Sequence, residues 1–348
     1  MLSLEDLKKY DTKKMYQFYD NWPAYAREAF EHYAGNSTKI LATLKDNVIE
    51  SGIDHVIFAG MGGSGAIGDL FAAILSRTNI HVSIVKGYLL PKTVDENTLV
   101  IITSVSGDTV EAITNLISAK KTGCQIIAFS SGGKIESLCK EQGIAFERIE
   151  KLHSPRVSFV RYVYSILGIL ENVLPIERED ILESIQEMEK LCKEISSGNI
   201  SENNPALALA QWINGIPLIY YPWGLQAAAI RFKNSLQENS KRHAMAEDVI
   251  EACHNGIVAW EKPNRDVKPI LIEGTDDYIK TKERWSILKR YFEQNKIDYR
   301  EIHTIDGSIL SKIMHMIYFF DYTTIYNAVL SGIDPSPTDS IDYIKQNL

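Results

Sequence analysis

At roughly 150 residues per domain, a chain of 348 residues holds about two domains and can bury a sizeable core, which excludes a small scaffold held by staples. Hydrophobic residues at 45% and charged residues at 24% are ordinary globular values and exclude disordered, collagenous and coiled-coil classes. Thirty-seven Lys and Arg against 45 Asp and Glu leave a net charge of −8, so neither nucleic acid nor an anionic membrane is attracted in general, and an anionic ligand has to be captured locally.

Helical patterns fill the first fifty residues, with Ser3 and Asp6 spaced as a capping box and Pro23 separating two segments. The opening residues, MLSLEDLKKYDTKK, lack the apolar core of a signal peptide. From Asp54 the rhythm changes. Short apolar runs (HVIFA, HVSIV, TLVIITS, QIIAF) alternate with helical windows at Ala66 to Ser76 and Thr109 to Lys121, the βαβ signature of a parallel sheet. Val157 to Ser197 reads as two helices. The apolar stretch Val157 to Leu174 carries Arg161 and Glu171 and reads as a buried amphipathic helix rather than a membrane span. Strands are expected again at Ile216 to Tyr221, Lys268 to Glu273 and Ile297 to Ile302, separated by helices. The expected organisation is therefore two α/β domains, 1–153 and 154–348. Both place a strand before a glycine-containing turn and a helix, GMGGSG after VIFA and PWGLQ after LIYY, the trace of a degenerate duplication. The four cysteines, Cys124, Cys139, Cys192 and Cys253, form no CxxC pair and read as reduced thiols of a cytoplasmic protein.

Two turns carry the chemistry. Gly60-Met61-Gly62-Gly63-Ser64-Gly65 satisfies GxGxxG between a strand and a helix. A dinucleotide site also needs an acidic residue at the end of the second strand, where Lys86-Gly87 stands instead. A helix N-terminus rich in small residues still offers backbone N–H groups to a phosphate; the plainer alternative is a tight turn that needs glycine only for its backbone angles. The second turn, Ser104-Val105-Ser106-Gly107-Asp108-Thr109, brings three hydroxyls to another helix start, where capping needs one. Neither turn contains Lys or Arg, so the expected cradle is neutral and hydroxyl-lined, suited to a terminal phosphate.

GGSG after the first strand, followed by SxSGxTxE after a later one, resembles the pattern of sugar isomerase (SIS) domains. Over nearly its whole length the chain is similar to the bifunctional phosphoglucose/phosphomannose isomerases. The resemblance implies two flavodoxin-like SIS domains with parallel sheets flanked by helices, and Gly62, Gly63, Ser64, Ser104, Ser106 and Thr109 around the sugar phosphate. It implies that Glu238, in FKNSLQEN, is the carboxylate base of an aldose–ketose isomerisation, with His254 sixteen positions later (254 − 238 = 16) opening the sugar ring from the neighbouring subunit of a dimer. Arg156 in HSPRV is implied to stabilise the charge of the enediolate, Lys345 to assist His254, and Thr338 to leave room for either epimer at C2. Read without the resemblance, Glu238 is a solvated helix residue, His254 a cap or core group, Arg156 and Lys345 surface charges and Thr338 a helix N-cap.

The function implied is interconversion of glucose 6-phosphate and mannose 6-phosphate with fructose 6-phosphate through a cis-enediol, without a cofactor or metal, by a cytoplasmic homodimer that engages neither nucleic acid nor membrane. Other substrate hydroxyls are expected at the turn around Trp223 and Gly224. Two alternatives stand beside it: another tandem-SIS enzyme, such as an amino-sugar-phosphate isomerase or deaminase, and a non-catalytic sugar-phosphate sensor.

Overall fold

The computed structural model describes residues 2–35, 53–262 and 266–347; the helical reading of residues 36–50 lies outside them. Helices α1 (Leu4–Tyr10), α2 (Met15–Asp20) and α3 (Trp22–Tyr33) open the chain. Ser3 caps α1 as expected, its hydroxyl accepting from Asp6 N–H while the Asp6 carboxylate accepts from Ser3 N–H, and Pro23 sits in the first turn of α3, where its missing N–H costs nothing. There follow β1 (His55–Ala59), α4 (Gly63–Leu75), β2 (His81–Val85), β3 (Thr98–Ser104), α5 (Val110–Thr122), β4 (Gln125–Ser130), α6 (Gly133–Gln142) and β5 (Ala145–Arg148). Next come α7 (Pro155–Leu170), α8 (Arg178–Ile195), α9 (Pro205–Trp212), β6 (Ile216–Tyr221), α10 (Gln226–Asn239), β7 (Met245–Asp248), α11 (Val249–Ala252) and β8 (Val267–Glu273). The chain closes with α12 (Ile279–Gln294), β9 (Arg300–His303), α13 (Ile309–Leu330) and α14 (Asp339–Gln346).

Two compact units result. The first comprises Asn21–Gln186 with Ser308–Leu310, the second Met1–Asp20, Glu187–Gly307 and Ser311–Leu348. The 153/154 division falls at the N-cap of α7; by packing, α7 and α8 as far as Gln186 go with the first sheet, and residues 1–20 with the second.

The first unit holds a five-stranded parallel sheet in the order β2-β1-β3-β4-β5. Strands β1, β3 and β4 are buried along their whole length, as a parallel sheet covered on both faces requires. Ile57, Val100, Ile102 and Ala128 meet Ala112, Leu116 and Ile135 of α5 and α6 in one core. Helix α7 departs from the amphipathic expectation: after the exposed Pro155 at its start it is buried all round except at Arg161, whose guanidinium pairs with Glu28 and Glu150. A helix apolar on every face is a core helix, and Trp22 Nε1–H of α3 reaches its Val157 carbonyl at 3.0 Å.

The second unit holds a four-stranded parallel sheet, β7-β6-β8-β9. Its strands run second, first, third, fourth in the chain, the same order as the first four of the other sheet, so the duplication hinted at by the two glycine turns is present in the topology. Leu218, Tyr220 and Leu271 pack with Trp260, Trp285 and Phe292. Among the described residues no helix is long and apolar enough to cross a membrane.

Candidate active site

In an open parallel sheet the chain departs in opposite directions from two neighbouring strands, and ligands bind outside their carboxyl ends. In the first unit those strands are β1 and β3, and the two turns singled out in the sequence are the ones that follow them. Gly62, the N-cap of α4, has φ +53° and ψ −122°, a conformation natural only to glycine. An added Cβ there would meet nothing within 4 Å, so the turn is open to a ligand. Gly63 faces chain instead: a Cβ would stand 3.1 Å from the Pro155 carbonyl oxygen and 3.8 Å from Arg156 N. The start of α7 thus lies with its backbone against the GGSG turn, and Arg156 there is 5% exposed.

The second turn is ordered by its own hydroxyls. Ser104, at the end of β3 and 1% exposed, lies 2.9 Å from Thr109 Oγ1 and accepts from Gly107 N–H at 3.1 Å. Thr109 occupies the N-cap of α5 without capping it, so its hydroxyl belongs to the Ser104 pair and leaves the leading N–H groups of the helix to an anion. Ser106 is exposed and accepts from Asp108 N–H at 3.3 Å, apart from the Ser104–Thr109 pair. Ser64 is buried in the first turn of α4. Asp108 accepts from Lys134 N–H at 3.0 Å and caps α6. Gly107, at φ +77°, would place a Cβ 1.8 Å from the Gly132 carbonyl oxygen, so the two loops interlock and admit no side chain between them.

In the second unit Glu238 is the penultimate residue of α10 and half-buried. The helix that carries it is docked on α13 by a polar ladder on one face. Arg231 donates to Asp321 through Nε at 3.1 Å and Nη2 at 2.6 Å. Ser235 donates to the same carboxylate at 2.7 Å, and Tyr19 of α2 adds a third donor at 3.2 Å. One turn on, Asn239 donates to Thr324 Oγ1 at 2.7 Å. Phe232 stacks on Phe320 between these contacts, ring centroids 4.2 Å apart. The spacing 231, 235, 239 is one helical face, and Glu238 stands beside it.

Thr338 is the N-cap of α14 by position, but its side chain makes no cap hydrogen bond; only its carbonyl engages the first turn, accepting from Ile341 N–H at 2.9 Å and Asp342 N–H at 3.2 Å. The turn before it is tied to the end of α10: Lys241 Nζ donates to the Glu238 carbonyl at 2.6 Å and to the Pro337 carbonyl at 2.7 Å. The structure thereby brings the neighbourhoods of Glu238 and Thr338 together. His254 is exposed beyond α11, its backbone N–H donating to Glu251 O at 2.8 Å. Burial pushes the thiol of Cys253, the preceding residue, up. Lys345 is exposed in the last turn of α14. Trp223 is exposed in the turn after β6, beside Gly224 at φ +99°. From the sequence, Lys241 reads only as one of the charges around Glu238, and Arg231 and Asp321 carry no motif. Asp321 had a signal: one acid inside the apolar run MIYFFDYTTI has to be paired.

Residues 51–167 match the SIS domain and residues 202–348 the bacterial phospho-glucose isomerase C-terminal SIS domain. A bifunctional phosphoglucose/phosphomannose isomerase of Caldicellulosiruptor bescii is 30% identical over 347 residues, covering 96% of this chain and 98% of the relative. One of Aquifex aeolicus is 29% identical over 84% of this chain and 90% of its own. Among solved structures, a tagatose-6-phosphate ketose/aldose isomerase of Escherichia coli shares the fold, with a TM-score of 0.71, 12% identity, and coverage of 94% of this chain and 96% of that one. With the two sheets, the paired glycine turns and a relative matched end to end, the chain belongs to the bifunctional phosphoglucose/phosphomannose isomerase family.

Proposed function

We propose that the protein interconverts glucose 6-phosphate and mannose 6-phosphate with fructose 6-phosphate. The observation that carries this reading is the pair of turns at the carboxyl ends of β1 and β3, which present the Ser104–Thr109 hydroxyl pair, the uncapped start of α5 and the open Gly62 turn, with the backbone of Arg156 beside Gly63; this reading takes them as a phosphate cradle. In the reaction, Glu238 removes the C2 proton of the open-chain aldose. The electron pair left behind forms the C1–C2 double bond of a cis-enediol(ate) with the developing charge on O1, which Arg156 stabilises; the C2 hydroxyl proton passes from O2 to O1 as the C2 carbonyl forms, and the abstracted proton is returned to C1 to give the ketose. Because the two aldoses differ only at C2, they give the same enediol, and one base serves both. Ring opening is assigned to His254 of the partner subunit in a homodimer, assisted by Lys345, and the substrate cycle is placed in the cytoplasm, within glycolysis and gluconeogenesis.

The test is a coupled assay of purified protein with fructose 6-phosphate and with each aldose phosphate. Turnover of both aldoses is expected. Absence of turnover alongside binding would favour a sugar-phosphate sensor, and ammonia release from glucosamine 6-phosphate without ketose formation would favour an amino-sugar-phosphate enzyme.

A further inference from the structure

Lys241 follows the C-cap of α10 with φ +53°, the left-handed position after a helix that glycine normally fills because a Cβ is disfavoured there. A lysine therefore carries a conformational cost at this point that glycine would not. Lys14 and Lys296 have the same backbone conformation, but among the described residues only Lys241 of the three has its ammonium hydrogen-bonded. Its three N–H groups face three carbonyls: Glu238 O at 2.6 Å, Pro337 O at 2.7 Å and Pro335 O at 3.5 Å. The first is the carbonyl of the proposed base itself, at the negative end of α10. The other two belong to the turn that leads into Thr338, and prolines at 335 and 337 stiffen that turn. One cation thus spans from the backbone of Glu238 to the backbone of the segment expected to set tolerance at C2. Behind it, Ser240 Oγ donates to Thr324 O at 2.9 Å and Arg242 donates to Asn327 Oδ1 and to Gly215 O, so the clamp sits on a fixed base.

We infer that Lys241 is a positioning residue for the isomerisation: it holds the end of α10 at a set distance from the Pro335–Pro337 turn, and so fixes the carboxylate of Glu238 relative to Thr338. This rests on the reading of Glu238 as the base. It makes Lys241 a determinant of proton-transfer geometry and of the balance between the two epimers, although it need not touch the substrate.

Lys241→Gly separates this role from folding, because glycine removes the clamp and at the same time relieves the backbone. The variant is expected to keep its melting temperature or raise it and to leave KM for fructose 6-phosphate nearly unchanged. Its kcat should fall roughly ten- to hundredfold, as small misplacements of reacting groups do, and the ratio of kcat/KM for mannose 6-phosphate over glucose 6-phosphate should shift. Lys241→Arg, which retains N–H donors toward the carbonyls, should restore most of kcat. Wild-type kcat and epimer ratio in Lys241→Gly would overturn the inference while leaving the function intact, and so would a loss of kcat that merely follows a loss of folded protein. A wild-type enzyme that isomerises neither aldose would overturn the reading of Glu238 and this inference with it.

Discussion

The 2.9 Å contact between Ser104 and Thr109 is the kind of interaction a bound phosphate would join rather than break, since each hydroxyl can both donate and accept. Such groups hold substrate and transition state alike, so Ser104→Ala combined with Thr109→Val should raise KM by roughly tenfold or more, hydrogen bonds to charged groups being worth about 1.5–3 kcal/mol, with kcat little changed in steady-state kinetics. Glu238→Gln should do the opposite, lowering kcat by ~10²–10⁴-fold while sugar-phosphate affinity measured by calorimetry persists. Thr338→Gln should depress mannose 6-phosphate turnover more than glucose 6-phosphate turnover by about 1–3 kcal/mol of discrimination, read as a ratio of kcat/KM; an unchanged ratio would leave Thr338 as part of a turn and no more. The Ser104–Thr109 pair and the glycine conformation at Gly62 follow from residues local to each turn, so they were legible in the sequence, whereas Ser106, read with that pair, stands apart from it. Arg156 beside Gly63, and Lys241 between α10 and the Pro335–Pro337 turn, were not legible as geometry, because each joins segments about ninety residues apart.

At the level of elements, the central strands could be read from composition: β1, β3 and β4 are apolar on both faces. The edge strands β5 (AFER) and β7 (MAED) went unread, being four residues long and half-exposed, with too little alternation to register. Strand β9 was expected from Ile297, yet it begins at Arg300; Ile297 is apolar because it belongs to the core against Trp285 and Phe292, not because it pairs in the sheet. The docking of α10 on α13 turns on a carboxylate with 0% exposure, Asp321, and its Arg231 partner. Asp321→Asn would leave that guanidinium buried without its counter-charge and should cost about 3–5 kcal/mol in urea denaturation. On the same helix α13, burial holds the His315 imidazole well below its ordinary 6.5, at about 4. The unfolded chain therefore takes up a proton between those values that the folded chain does not, and stability falls as pH drops from 6.5 towards 4, by on the order of 2–3 kcal/mol. His315→Leu should flatten that limb of the stability–pH curve.

For the whole molecule, assigning His254 to the partner's site has a sharp consequence. Mixed Glu238→Ala and His254→Ala subunits should form heterodimers in which one site carries both lesions and the other none, so activity should return on mixing two inactive proteins. Verified subunit exchange without recovery would place both residues in one subunit's site.

The second unit is discontinuous: residues 1–20 belong with residues 187 onward rather than with what immediately follows them. Asp20 accepts from Ser197 N–H at 3.0 Å, Ser197 Oγ at 2.6 Å and Tyr322 OH at 2.6 Å, and Tyr318 OH donates to the Tyr19 carbonyl at 2.7 Å. On the ribosome these partners are born far apart in time. At ~5–20 residues per second, the roughly 300 residues separating Asp20 from Tyr322 take on the order of 15–60 s to appear, long after the first sheet has emerged complete. Met15, Tyr16 and Tyr19, fully buried in the finished protein, must wait through that interval in water or in the keeping of a chaperone. Nascent chains arrested after residue 186 should therefore resist protease across the first sheet while remaining cleavable near Lys13 and Lys14.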